Sequence, residues 1–268
     1  MGNLHGKSET MQPIKLPKAE TESLQEIVVK LAGPCSIYVF GRREAHFYIL
    51  VICDVSVTAT HLMNEIAERT NRTITATMLL HKPRHLKTKG GSQECFFDQV
   101  FRNGQRLCLD KANIPYILNH NPQRDLESDI RFWHKCVAVA QFNIQAAKES
   151  LQAEVTLCRV ALLNIASVQL ALGLIRVFMG YSPNEFGLNY LLQLCGHFTD
   201  LPSQVFDRET PEAVKRYKML CAPPSMLIHY TRLNADESDF ETLLDNCQQF
   251  LDGSTVLVIT ELELLNTN

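Results

Sequence analysis

The chain of 268 residues is long enough for two ordinary domains, and its hydrophobic fraction of 46% is typical of a globular protein that buries a core. The net charge of −3 excludes a strong overall field that would attract nucleic acid or an anionic membrane, although a local basic cluster remains compatible with it. The nine cysteines include no CxxC pair, and most lie in apolar runs. We therefore expect buried thiols rather than disulfides or zinc ligands.

The N-terminal residues 1–18 are polar and are predicted to form a flexible tail. They lack the apolar core of a signal peptide, and Gly2 is not followed by the Ser or Thr at position 6 that myristoylation requires. The apolar segment 160–179 is interrupted by Asn164 and Arg176, which suits a buried helix better than a membrane span. These patterns predict a cytoplasmic protein without a membrane partner.

Residues 19–110 alternate helical and strand patterns, which predicts a small α/β domain. The predicted helices are 19–31, 58–70 and 92–102, and the predicted strands are 35–40, 47–53, 73–80 and 106–109. The almost wholly apolar run 47–53 predicts a buried central strand, and Gly41 is expected to close the strand before it. Residues 111–124 contain two prolines and no clear period, so they are predicted to be a linker.

Everything after the linker has helical spacing, so residues 125–268 are predicted to form an all-α bundle. The predicted helices are 125–150, 153–179, 187–197, 211–230 and 237–265. Gly180 and Pro183 stop the second of them. Segment 254–260 is rich in β-formers, but its acidic, leucine-rich flanks favour a continuing helix.

The strand that leads into Gly41, followed closely by a central strand, resembles the start of nucleotidyltransferases of the polymerase-beta type. In that family the first strand ends in Gly-Ser, and the next carries Asp-x-Asp, whose carboxylates bind two divalent metals. Here Arg42 stands in place of the Ser, and residues 46–48, His-Phe-Tyr, stand in place of the carboxylates. The segment 73–80 offers no third carboxylate. The resemblance therefore implies a degenerate domain without metal ligands.

The remaining polar residues of this region allow two interpretations. Glu44 and Asp54 lie at opposite ends of the central strand, roughly 20 Å apart, so they do not form a two-metal site. Gly41, Arg42 and Arg43 are candidate phosphate-binding residues, because two guanidiniums at a loop chelate a phosphate. A solvated charged turn is the alternative.

The segment 81–89 is a basic cluster that includes His81 and His85. RNA or phosphate binding is one interpretation, and a solvated loop is the other. The two histidines have helical metal spacing, but Pro83 lies between them and no third ligand is near in sequence, so no metal and no cofactor is expected.

The segment LIRVFMGYSPNEFGLNYLLQLC resembles the second and third helices of HEPN domains, which commonly follow a nucleotidyltransferase-like domain in bacterial chains. Such bundles often carry Gly-Tyr-x-Pro-x-x-His before the third helix. Gly180, Tyr181 and Pro183 match this motif, whereas Phe186 takes the place of the His. The resemblance covers residues 125–250. It implies a homodimer formed through helix faces, for which the second and fourth helices are the expected surface.

Many HEPN domains are ribonucleases whose signature is an Arg followed, after four to six residues, by a His that acts as general acid or base. No Arg of this chain has a His at that spacing. The polar residues left in the matching helices are candidates for ligand binding. With the residues named above, the candidate set is Gly41, Arg42, Arg43, Asn164, Arg176, Tyr181, His229, Tyr230 and Arg232. For Arg176 the alternative is an ion pair within the bundle, and for His229 it is contact with helix-end carbonyls.

The sequence as a whole predicts an α+β protein, in which a small nucleotidyltransferase-like α/β domain precedes an all-α HEPN-like up-down helical bundle. Because both catalytic sets are missing, the expected function is non-catalytic binding of a nucleotide, an RNA or a protein, with a regulatory role. The alternative is an atypical HEPN ribonuclease, or a nucleotidyltransferase that uses displaced catalytic residues.

Overall fold

The computed structural model describes residues 17–55, 57–87, 91–109, 122–150, 155–229 and 235–267. These residues belong to two compact units that divide between Asp125 and Leu126. The first is a mixed α/β unit built on a four-stranded sheet, and the second is mostly helical, which agrees with the fold class expected at this coarse level. The predicted tail, up to residue 16, and the predicted linker, up to residue 121, lie outside the described residues.

The elements of the first unit follow the predicted order closely. They are α1 (Lys18–Ala32), β1 (Cys35–Arg43), β2 (His46–Cys53), α2 (Ala59–Arg69), β3 (Thr75–His81), a 3₁₀ turn (Pro83–Lys87), α3 (Gly91–Asn103) and β4 (Gln105–Cys108). Thr58 begins α2 as an N-cap, since its hydroxyl accepts a hydrogen bond from the His61 amide.

The four strands form one mixed sheet in the order β3-β2-β1-β4. β1 pairs antiparallel with β2 and with β4, while β2 pairs in parallel with β3. The helix α2 makes the crossover that a parallel pair requires. β2 is therefore an inner strand, as its apolar run predicts, and its residues Phe47–Cys53 are all buried.

The two faces of this sheet carry different cores. On one face, alternate residues such as Val39, Ile49 and Val51 are buried in one apolar cluster with residues of α1 and α2. On the other face, Tyr38 contacts Phe101 of α3 with ring centroids 5.0 Å apart. Aromatic rings thus fill the space under α3, and the sheet is covered on both sides.

The second unit consists of helices of very different lengths. They are α4 (Leu126–Glu149), α5 (Thr156–Met179), α6 (Leu188–Cys195), α7 (Leu201–Val205), α8 (Pro211–Leu220), α9 (Pro224–His229) and α10 (Glu237–Thr267). The segment 254–260 is helical within α10, so the prediction of a continuing helix is confirmed.

The helix α5 lies at the centre of this unit and contacts α4, α6, α8, α9 and α10. Among the described helices it is the one long and apolar enough to cross a membrane, yet 72% of its most apolar window is buried inside the unit. That burial is consistent with the core helix of a soluble protein. It also means that the apolar face of α5, expected to form half of a dimer surface, is already used within the chain.

The bundle differs from the prediction at two places. The single helix expected over 211–230 is two helices, α8 and α9. The helix is interrupted between Leu220 and Pro224, because Pro223 has no amide hydrogen with which to continue α8. The short helix α7, which starts at Leu201, was not expected, since five residues are too few to show a helical period.

Candidate functional site

The hairpin between β1 and β2 holds the residues from which the sequence predicts a nucleotidyltransferase-like domain. The sequence predicts that β1 ends at Gly41, but the strand continues to Arg43. Gly41 is buried and pairs with Tyr48 next to a bulge, and Arg43 pairs with His46 across a two-residue turn. Pairing with β2 therefore overrides the glycine as a strand terminator. The candidate phosphate-binding residues lie on a strand and not on an open loop.

The guanidinium of Arg42 is engaged by its own chain. Its Nε donates a hydrogen bond to the Glu44 carbonyl at 2.7 Å, and its terminal nitrogen lies 3.3 Å from a carboxylate oxygen of Glu20. The same group lies 5.1 Å from the centre of the Phe47 ring. A phosphate at this position would have to compete with the Glu20 carboxylate.

His46 occupies the first of the positions where the family would carry a carboxylate. Its Nδ1 lies 2.8 Å from the Thr75 hydroxyl, and its Nε2 lies 2.8 Å from the Thr77 hydroxyl. In the neutral ring one nitrogen donates to one hydroxyl and the other accepts from the second. Burial lowers the pKa of His46, which favours this neutral form. The ring is thus saturated with hydrogen bonds.

The two aromatic residues after His46 point to opposite faces of the sheet. Phe47 belongs to the apolar cluster with α1 and α2. Tyr48 lies on the α3 side, with its ring 5.0 Å from that of His46 and 6.2 Å from that of Phe40. Both positions therefore serve packing.

The acids of this region do not gather around a common point. Asp54 is exposed just after β2, and Glu44 is exposed in the hairpin turn with a left-handed φ of 51°. Across the described ranges, no group of three His, Cys, Asp or Glu residues is arranged to hold a metal ion. Within the basic cluster, His81 is buried against Phe97 at 5.2 Å, and the side chain of His85 lies outside the described residues.

In the bundle, Asn164 has a structural partner at the unexpected break between α8 and α9. Its side-chain nitrogen donates to the Leu220 carbonyl at 2.8 Å and to the Ala222 carbonyl at 3.3 Å. Leu220 ends α8 and Ala222 lies in the connection to α9, where the helix does not continue to satisfy these carbonyls. Asn164, on the central helix α5, therefore stabilises the break.

Arg176 takes part in an ion pair within the bundle, the alternative that the sequence left open. Its Nε lies 2.5 Å from a carboxylate oxygen of the buried Asp129 on α4. Its terminal nitrogen donates to the Ser182 hydroxyl at 2.8 Å. Arg176 thus links α4, α5 and the turn after α5.

The turn after α5 begins at Gly180, where the sequence predicts that the helix ends. Gly180 adopts the left-handed conformation, with φ 64° and ψ 14°, that ends a helix. Tyr181 is fully buried, and this burial raises the pKa of its hydroxyl. Phe186, in the place of the family's His, is 61% exposed.

The last three candidates cluster in sequence at the end of α9. His229 is exposed on the last turn of that helix. Tyr230 and Arg232 lie outside the described residues. A polar site formed by these three residues stays a prediction.

Sequence analysis missed Arg159, a buried charge of the bundle with several partners. Its side chain is 6% exposed and makes a two-pronged ion pair with Glu237 at 2.8 and 2.9 Å. Its Nε donates to the Ala147 carbonyl at 3.0 Å, and its guanidinium lies 3.5 Å from the centre of the Phe240 ring. Arg159 therefore joins α4, α5 and α10. The available signal was an arginine in the first turn of a mostly apolar helix.

An open groove of about 470 Å³ lies between α1 and the turn that joins α2 to β3. Its charged lining residues are Glu20, Glu26 and Arg69. No residue of the predicted candidate set lines it. The described candidates are therefore not brought together in this groove.

No family model matches this sequence, and no curated protein matches it either.

Proposed function

We propose that this chain is a non-catalytic binding protein of the HEPN type, in which a degenerate nucleotidyltransferase-like unit precedes a HEPN-like bundle, and that it acts in the cytoplasm by regulating a protein partner. The observation that carries the proposal is the His46 ring between Thr75 and Thr77. A metal-binding histidine must present a nitrogen lone pair. Here the one lone pair of the neutral ring is used by a threonine hydroxyl. Metal-dependent nucleotidyl transfer at this position is therefore disfavoured.

Among nucleotide, RNA and protein, the contacts of the arginines favour protein. Arg42 is held by Glu20, and Arg176 is held by Asp129. A phosphate at either guanidinium would lie beside a carboxylate that already pairs with it, and the two negative charges would repel each other. Large apolar side chains, in contrast, are available at the surface, and Phe142 on α4 is 71% exposed.

Phe142 belongs to an apolar stripe on α4, which we define as Phe132, Val139, Phe142 and Ala146. The spacings of seven, three and four residues place these side chains on one face of the helix. Phe132 is 38% exposed, and Val139 and Ala146 are half-buried. The exposed Lys135 lies on the same face, between Phe132 and Val139. Exposed apolar side chains grouped on one helix face are typical of interaction sites.

We infer that the first partner of this stripe is a second copy of the chain. A two-fold interface uses the same patch on both subunits. Antiparallel packing of two α4 helices about Val139 would set the large Phe132 of each copy against the small Ala146 of the other. One pair of helices is a small interface, so we expect a dissociation constant in the micromolar range, about 1–100 μM.

Sedimentation velocity across this concentration range tests the dimer. The Phe142→Ser variant should weaken association at least tenfold, because it removes the most exposed apolar side chain of the stripe. Phe186→Ser is the matched control, since Phe186 is similarly exposed but lies in the turn before α6, and it should leave association unchanged. A wild-type chain that stays monomeric at the highest concentration would rule out the dimer.

A second experiment separates protein binding from the other functions. Thermal unfolding with nucleotides, with and without Mg²⁺, should show no stabilisation. A nucleotide that bound at 100 times its dissociation constant would stabilise the fold by about 2.7 kcal/mol, and such a shift would overturn the preference for protein. Cleavage of a short RNA that is lost in His229→Ala would favour the ribonuclease alternative.

A further inference from the structure

Three cysteines meet at one end of the sheet in the first unit. Cys35 is the first residue of β1, Cys53 is the last residue of β2, and the two are direct partners across the antiparallel pair. Cys108, the last residue of β4, pairs with Ile37 and so lies diagonally from Cys35. All three belong to or pack against the apolar cluster under α1 and α2. Each carries a thiol in this structure.

The register brings Cys35 and Cys53 within bridging distance. Residues directly opposite in an antiparallel pair have Cα atoms about 4.5–5.5 Å apart, and their side chains point to the same face. Disulfides in proteins span Cα separations of about 4.4–6.8 Å. A bond between these two sulfurs therefore requires only side-chain rotation and small backbone adjustment. The diagonal Cys108 lies about 7–8 Å away by the same geometry, which is less suited to a bridge.

We propose that Cys35 and Cys53 form a redox-active dithiol that closes to a disulfide on reaction with a small-molecule disulfide of the glutathione type. The thiolate of one cysteine attacks a sulfur of the small disulfide, breaks its S–S bond and releases one small thiolate. The second cysteine then displaces the other small thiolate and forms the protein disulfide. The two cysteine protons end on the two released thiols, and the two electrons reduce the small disulfide.

Access to the pair depends on opening of the strand ends. Cys35 and Cys53 are each 1% exposed, so neither reacts while the sheet end is closed. Both, however, are terminal residues of their strands, and Val55, which follows β2, is 44% exposed. Strand ends open locally at a lower free energy than the whole fold. The bridge would then close the open end of the hairpin, opposite the Arg43–His46 turn.

Peptide mapping of the full chain after native incubation with oxidised glutathione tests the proposal. The expected product is a linked peptide pair that contains Cys35 and Cys53, lighter by two hydrogens, and reversed by dithiothreitol. The exposed Cys158 reports that the oxidant is active, because it should form a mixed disulfide first. If Cys158 is fully modified while Cys35 and Cys53 stay reduced, or if Cys35 is linked to Cys108, the proposal is wrong.

Hydrogen–deuterium exchange adds a readout of the structural effect. Oxidation should slow amide exchange several-fold at the start of β1 and the end of β2 in the wild type. The Cys136→Ala control should behave like the wild type, since Cys136 is equally buried but lies on α4. Cys53→Ala should show no such slowing. Unchanged exchange in a wild-type sample shown to contain the bridge would show that the bridge does not stabilise the strand ends. Absence of the bridge in the wild type would overturn the proposal, even if the Cys53→Ala variant failed to fold.

Discussion

His46, next to the turn of the β1–β2 hairpin, is a residue whose protonation should change the stability of the fold. Burial lowers the pKa of His46 below its ordinary value of 6.5, and its two threonine partners already satisfy both ring nitrogens. The unfolded chain therefore takes up a proton at a higher pH than the folded chain does. The contribution of His46 is constant above the unfolded pKa and is lost as the pH falls below it towards the folded pKa.

We predict that the wild type loses more stability than His46→Gln between pH 7.5 and pH 5, because the glutamine amide does not titrate. The measurement is urea unfolding at several pH values, and the other histidines are the same in both proteins. Equal losses across this pH window would show that His46 is not the titrating group.

The buried Arg159 and the half-exposed Glu237, which form one ion pair, should differ in their effect on stability. Arg159→Met should cost about 2–3 kcal/mol, since it leaves the Ala147 carbonyl without its donor and removes the cation over Phe240. Glu237→Gln should cost less than about 1 kcal/mol, because the Glu237 side chain is 51% exposed and turns to water. Urea unfolding of both variants checks this order. If the two substitutions cost the same, the ion pair itself, rather than the buried environment of Arg159, would dominate.

Among the elements, the contact between α4 and α5 depends on a glycine. A Cβ atom added at Gly173 would lie 2.6 Å from a ring carbon of Trp133 and 3.2 Å from the Cβ of Cys136. Trp133 is 4% exposed, so it has little room to move. The two helices can approach this closely only because residue 173 has no side chain.

We predict that Gly173→Ala destabilises the fold by about 2 kcal/mol, since the overpacking outweighs the better helix propensity of alanine. It should also change the emission spectrum of Trp133, which the ring displacement would alter. Gly187→Ala is the matched control, because nothing lies within 4 Å of its added Cβ. That variant should cost less than about 1 kcal/mol and leave the emission unchanged. A Gly173→Ala protein as stable as the wild type would show that the helices separate without cost.

Long elements with a clear period are the part of the fold that sequence analysis predicts well. The sequence predicts the central strand β2 and the core helix α5 because each contains a long run of apolar residues. The break after Leu220 has a local signal in Pro223 and Pro224, but the amide of Asn164 that satisfies a carbonyl there comes from another helix. The local sequence around Leu220 does not indicate a hydrogen-bond donor 56 residues away. The same limitation explains why β1 was ended at Gly41.

At the scale of the whole molecule, contacts between segments distant in sequence determine which candidate residues are available to a ligand. The sequence predicts Gly41 as the end of a strand and Arg42 in a loop, whereas both pair with β2, and the Glu20 carboxylate lies beside the Arg42 guanidinium. The partners of His46 lie on β3 and became visible only with the parallel register of the sheet. Residue types therefore predicted where charges and rings lie along the chain. They did not predict which of them are already satisfied by the fold.

The division into two units makes a last prediction possible, because Trp133 is the only tryptophan of the chain and lies in the helical unit. Its fluorescence should follow unfolding of that unit, while amide exchange of β2 peptides follows the sheet unit. Val51→Ala removes two methyl groups from a fully buried side chain of β2 and should cost about 2 kcal/mol there.

We expect Val51→Ala to speed exchange of the β2 peptides and to leave the urea midpoint of Trp133 fluorescence unchanged. Gly173→Ala should do the reverse, lowering the fluorescence midpoint while β2 exchange stays as in the wild type. These outcomes would mean that the core of each unit is sufficient to stabilise that unit. If either substitution shifts both signals by the same free energy, the two units unfold as one cooperative structure, and the division between Asp125 and Leu126 has no energetic meaning.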